Sequence, residues 1–248
     1  MGNRVLSAGE LVRAVPQAAA AEAEAAGDDS QARDAAAVAA ELARHGVRRG
    51  PADGEQTLRA ALRLVRAEGF WSKHYALHPN ANRVKMWLWV HERYRGYVAD
   101  AVRQAEELAT RPAAERRARG TALAAAWAKF SRKLADHTEF EETQLLKFFD
   151  ECRPANAPES GELHRQHSEL GKAGADEVEQ LLAGVASGAA SGDADVDKAA
   201  VALRAFQADF LVHLALEENV LLACWLNLSS DEYARYRTYL SFKFAVMY

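Results

Sequence analysis

The chain has two cysteines, Cys152 and Cys224, in 248 residues. That count excludes a disulfide scaffold and a thiolate zinc site. Proline (6) and glycine (15) are sparse, and strand-like alternation of apolar and polar residues is missing. Alanine, leucine, glutamate and arginine dominate instead, which is a composition for helices. Basic charge is not in excess: 31 Lys and Arg against 35 Asp and Glu leave a net charge of −4. A nucleic-acid partner is therefore not expected. The one basic cluster, Arg111 to Arg119, reads as the solvated face of a helix–helix junction. Residues 1–21 include Arg4, Glu10 and Arg13, so no uninterrupted apolar leader is expected there. No run approaches the ~18 apolar residues of a membrane span. The expectation is a cytoplasmic protein with no membrane partner.

What is present falls into three regions. Residues 1–80 hold short helical stretches broken at Pro16, Gly27-Asp28-Asp29, Gly46 and Gly50-Pro51. Residues 81–228 carry long periodic segments. Residues 229–248 form a short terminal helix opened by Ser229-Ser-Asp-Glu232, a capping-box pattern.

In the middle region four apolar stripes step by threes and fours, the seam of an amphipathic helix. They run Val84, Trp87, His91, Tyr94, Val98 to Leu108; Leu123, Trp127, Phe130, Leu134, His137, Glu141, Leu145, Phe148; Leu163, His167, Leu170, Gly174, Val178, Leu181, Val185; and Leu203, Phe206, Phe210, His213, Glu217, Val220, Cys224. Histidine and glutamate occupy seam positions where apolar side chains belong. The histidines are also evenly placed. The midpoints of successive pairs are about 114, 152 and 190, beside Pro112, beside Arg153-Pro154, and inside Ala186–Asp193. Each is a turn signal. An all-α, up-down-up-down four-helix bundle, with an N-terminal helical extension and a short C-terminal helix, brings all four histidines to one level.

His137-x-x-x-Glu141 and His213-x-x-x-Glu217 each put an imidazole and a carboxylate on one helix face, one turn apart. The two carboxylates meet at the bundle centre, and a carboxylate can bridge two cations. A metal pair ~3.5–4 Å apart is the natural occupant, because burying these charges without a cation is costly. The donor set suits iron, zinc, manganese or nickel. Open positions on two metals favour redox iron. Glu142 and Glu218 lie ~100° round the helix from the first glutamates; they either accept from imidazole N–H groups or are surface charges. Tyr94, one turn from His91, either hydrogen-bonds a bound oxygen species or fills the core. His74 and His78 precede the first long helix and either pack at the bundle's end or line an entrance.

These residues resemble the hemerythrin-like, or HHE cation-binding, family. The resemblance covers about residues 81–228 and rests on His91, His137-x-x-x-Glu141-Glu142, Gln166-His167-Ser-Glu-Leu170 and His213-x-x-x-Glu217-Glu218. It implies a four-helix bundle around an oxo- or hydroxo-bridged di-iron centre, with two iron ions as cofactor. It also implies a small ligand such as O2, peroxide or NO, and a di-iron oxidoreductase. Oxygen carriers of the family space two histidines His-x-x-x-His on the third helix. Here the pair is His164-x-x-His167, one residue closer, with His164 as a fifth imidazole candidate. A di-iron oxygenase with an organic substrate is the alternative; it expects a cavity walled by residues 1–80 or 229–248. A non-enzymatic iron or O2 sensor is a third reading. Gly9-Glu-Leu-Val-Arg-Ala-Val-Pro16 and Gly54-Glu-Gln-Thr-Leu58 resemble the front domain of di-iron iron–sulfur cluster repair proteins. Pro51-Ala52 stands where those proteins carry a cysteine pair.

Overall fold

The computed structural model describes residues 6–15, 35–66, 70–152, 157–189 and 192–240. The fold is all-α, and the one extended pairing among the described residues is an isolated bridge between Ser7 and Arg48. The expected breaks at Pro16 and Gly27-Asp28-Asp29, and the turn at Arg153-Pro154, lie outside the described residues.

Two compact units form. One comprises Met1–Leu88 with Glu217–Tyr233. Its first helix, α1 (Ala8–Ala14), starts on a capping box, with Ser7 Oγ accepting from Glu10 N–H and the Glu10 carboxylate accepting from Ser7 N–H. Helices α2 (Ala35–Arg44) and α3 (Glu55–Arg66) bury Val38, Leu42, Leu58 and Leu62, the short α4 (Phe70–His74) buries Phe70 and Trp71, and Arg66 holds Glu41 through two 2.7 Å bonds. Gly46 turns the chain at φ 72°, and His78 lies where a Cβ there would have to go. His78 also packs edge-on to Trp71 at 4.9 Å; it fills the interior of this unit.

The other unit comprises Trp89–Leu216 with Ala234–Tyr248. Most of the length of the long rods lies here: α5 (Lys85–Ala109, from Trp89), α6 (Ala113–Phe140) running on into α7 (Leu146–Cys152), α8 (Ala157–Glu169) running on into α9 (Asp176–Ser187), and α10 (Asp193–Leu226, as far as Leu216). Two of the three expected turns fall on described residues and appear there. Pro112 caps the start of α6, and Gly188 ends α9 in the left-handed conformation at φ 79°. The Arg111–Arg119 cluster sits at the first turn as expected, with Arg116 capping α5 by donating to the Arg111 and Ala109 carbonyls. Helix α11 (Ser230–Leu240) opens on reciprocal bonds between Ser229 and Glu232.

Two corrections concern these rods. The steps are not threes and fours throughout. Glu141–Leu145 and Leu170–Ala175 are π-helical, so the buried stripe of the third rod runs Leu170, Ala175, Val178, Leu182, Val185. Burial falls on Ala175 and Leu182 in place of Gly174 and Leu181, while Val178 and Val185 keep their expected places. The second correction concerns apolar length. One helix, Ala194–Leu226, is long and apolar enough to cross a membrane by length and composition. Its Val196, Ala199, Ala200, Leu203, Phe206, Phe210 and Leu214 form one stripe buried in the core, while Val201, Leu211 and Val212 off that stripe are exposed.

Candidate metal centre

Beyond a core of Trp127, Phe130, Phe206 and Phe210, with ring centroids 5.1–6.4 Å apart, the polar seam residues follow on the same helices. His91 comes from α5, His137 from the last turn of α6, Glu141 from the π turn after it, His167 from α8 and His213 from α10. All are buried, and Glu141 and His91 have no exposed surface. Glu217 is equally buried and lies one turn beyond His213 on the unbroken α10.

Glu141 organises the cluster. Its Oε1 stands 3.1 Å from His137 Nε2 and 3.9 Å from His91 Nε2, while its Oε2 stands 3.6 Å from His167 Nε2. The carboxylate thus faces imidazoles from three helices with two different oxygens. Donor atoms fall into two groups, His91, His137, Glu141 and Glu217, and His167, His213 and Glu217, each within 4.8 Å. Glu217 is common to both.

Two of the imidazoles are held in the ligating, neutral state. Burial pushes His137 down to about 4 and His213 down to about 3, with neighbouring imidazoles adding to the shift. Both rings are therefore neutral near pH 7. His137 Nε2 and His167 Nε2 are buried and make no hydrogen bond. Buried polar atoms of that kind are rare unless something else occupies them. A cation would meet the requirement, and imidazole nitrogens with carboxylates are a donor set that fits one.

The sequence matches the hemerythrin family, described as Hemerythrin HHE cation binding domain, over residues 84–225. The chain belongs to this family. Nothing among curated proteins or solved structures matches it. Membership of the hemerythrin family makes cation binding the function of this domain, commonly of iron, and the buried His–Glu cluster fits such a site.

The outer residues of this hemerythrin-type cluster separate. His164 does not join the donor groups. Its side chain is 41% exposed and its Nδ1 contacts Glu142 Oε2. The i,i+3 spacing puts it about 60° round α8 from His167, far enough to leave the interior. Glu142 accepts from His167 Nδ1 at 2.6 Å through its other oxygen. Glu218 is buried on α10. Tyr94 donates its hydroxyl proton to the Lys133 carbonyl at 3.0 Å and lays its ring edge-on to His137 at 5.1 Å. It packs the imidazole rather than aiming a proton at the donor groups. Gln166, which sequence reasoning quoted but assigned no role, accepts from His213 Nδ1 at 3.1 Å.

A cavity of about 530 Å³ reaches the cluster, lined by Leu134, Thr138, Glu142, His164, His167 and Ala175 among others. His167 is the donor residue in its wall.

Proposed function

We propose that this hemerythrin-like chain holds two iron ions and binds or reduces a small oxidant or diatomic ligand: O2, peroxide or NO. One observation carries the proposal: the carboxylates are shared. Glu217 belongs to both donor groups, and Glu141 turns one oxygen to His137 and His91 and the other to His167. With two ions bound, His91 and His137 would hold one and His167 and His213 the other, with the two glutamates placed to be shared. Iron, when bound, supplies Lewis acidity and exchangeable electrons.

The protein's part is positioning and exclusion. Phe210 stacks at 6.3 Å on His213, and Tyr94 stands edge-on to His137. They keep the donor side of these rings in an apolar surround, where electrostatic interactions are stronger than in water. The cavity beside His167 supplies room for a small ligand. Its walls mix Leu134, Ala135 and Ala175 with Ser131, Thr138, Glu142 and His164. The oxygenase reading draws on the same space, but its walls come from residues 131–176, not from the flanking segments that reading expected.

Metal analysis of the purified protein with iron Mössbauer spectroscopy tests the proposal. Two coupled irons per chain are expected. A single iron, or two uncoupled ones, overturns the pair. The reduced protein is then exposed in turn to O2, peroxide and NO, with visible absorption as readout. A spectrum indifferent to all three removes the small-ligand reading and leaves cation binding.

A further inference from the structure

The two donor groups are supported differently. In the His167/His213 group both rings have a side-chain acceptor on Nδ1. Glu142 Oε1 lies 2.6 Å from His167 Nδ1, and Gln166 Oε1 lies 3.1 Å from His213 Nδ1. A carboxylate and an amide oxygen can only accept, so each Nδ1 carries a proton, and the tautomer selected for the neutral ring is the one that leaves the Nε2 lone pair free. The amide itself cannot flip without loss. Gln166 Nε2 donates to Glu162 Oε1 at 2.8 Å, and Glu162 is gripped by Arg165. The order Arg165, Glu162, Gln166, His213 fixes which end of Gln166 meets the imidazole. In the His91/His137 group, by contrast, His137 Nδ1 is buried and makes no hydrogen bond.

An acceptor on the far nitrogen of a ligating imidazole fixes its tautomer and raises its basicity, and losing it weakens metal affinity about 10–100-fold. We infer that the two cation positions are inequivalent, that the His167/His213 position binds first and more tightly, and that Gln166 is the positioning residue that makes it so. This rests on the paired-cation reading above. It also gives the third rod a larger share in the centre than its one donor implies, since α8 supplies both His167 and the acceptor for a donor on α10.

The test is a Co2+ titration of the full chain stripped of metal, at pH 7, followed by calorimetry and by the visible ligand-field bands. The wild type is expected to take up two equivalents in two unequal steps. His137→Ala should remove the weaker step and spare the stronger. Gln166→Leu should weaken the stronger step about 10–100-fold and spare the weaker. Gln166→Glu keeps an acceptor oxygen and should restore the stronger step. Two wild-type steps of equal affinity overturn the inequivalence. His137→Ala removing the stronger step overturns the assignment of the tighter position, and Gln166→Leu shifting both steps alike, or Gln166→Glu failing to restore, overturns the role of Gln166. Uptake of fewer than two equivalents by the wild type sinks the paired-cation reading itself, and this inference with it.

Discussion

Glu141 carries the argument at the scale of single residues. It has no exposed surface and faces imidazole nitrogens on three helices, of which His137 is neutral near pH 7. Without a cation such a carboxylate is an expensive thing to bury; with one it is a ligand. Glu141→Gln keeps the size and removes the charge. The metal-free variant is expected to be at least as stable as the metal-free wild type, and to lose most of the rise in Tm that Fe2+ or Co2+ gives the wild type. Thermal melts with and without metal check both halves, and an undiminished rise would take Glu141 out of the ligand set. The inner residues were legible because a polar side chain in mid-seam is anomalous on its own helix. His164 was not, because its environment depends on Glu142, 22 residues away. Gln166 was not, because its partner is 47 residues off and an isolated glutamine carries no signal.

At the scale of elements, helix existence and turns could be read from period and from Pro112 and Gly188. The π turns could not, because a single widened turn leaves most of the expected seam in place: Leu145, Phe148, Val178 and Val185 are buried as the spacing of threes and fours requires. Both lie next to ligand candidates: one begins at Glu141 and the other begins three residues after His167. π-bulges concentrate at functional sites, and here one supplies Glu141 and Glu142 in succession. Their backbone draws on side chains. Thr143 Oγ1 donates to the Glu139 carbonyl at 2.7 Å, and Trp127 Nε1 donates to the Ala175 carbonyl at 3.2 Å inside the core. Trp127→Phe removes that second donor. The expected cost is about 0.5–1.5 kcal/mol for the lost hydrogen bond, plus the lost ring volume, read as a lower denaturant midpoint with metal stoichiometry unchanged. A variant as stable as wild type would show that the indole does not support the π turn.

For the whole molecule, the same histidines tie stability to pH and to metal. His137 and His78 are pushed down to about 4 and His213 to about 3, chiefly by burial. Unfolded, each takes up a proton near 6.5; folded, each resists until pH 4 or 3. Their contribution is therefore complete above about pH 6.5 and is lost as pH falls towards 4 and 3, at roughly 1.4 kcal/mol per pH unit for each group. The metal-free chain should melt at a steady temperature between pH 7 and 8 and at progressively lower ones from pH 6 down. Metal adds a second dependence of the same sign, since a protonated imidazole cannot ligate. At 100 times its Kd a cation stabilises the folded chain by about 2.7 kcal/mol, roughly 5–11 °C in Tm at this chain length. The gap between loaded and stripped protein should be widest at neutral pH, disappear on adding a chelator, and close as the pH falls to 4. A gap that persists unchanged at pH 4 would mean that the stabilising cation is held by something other than these imidazoles.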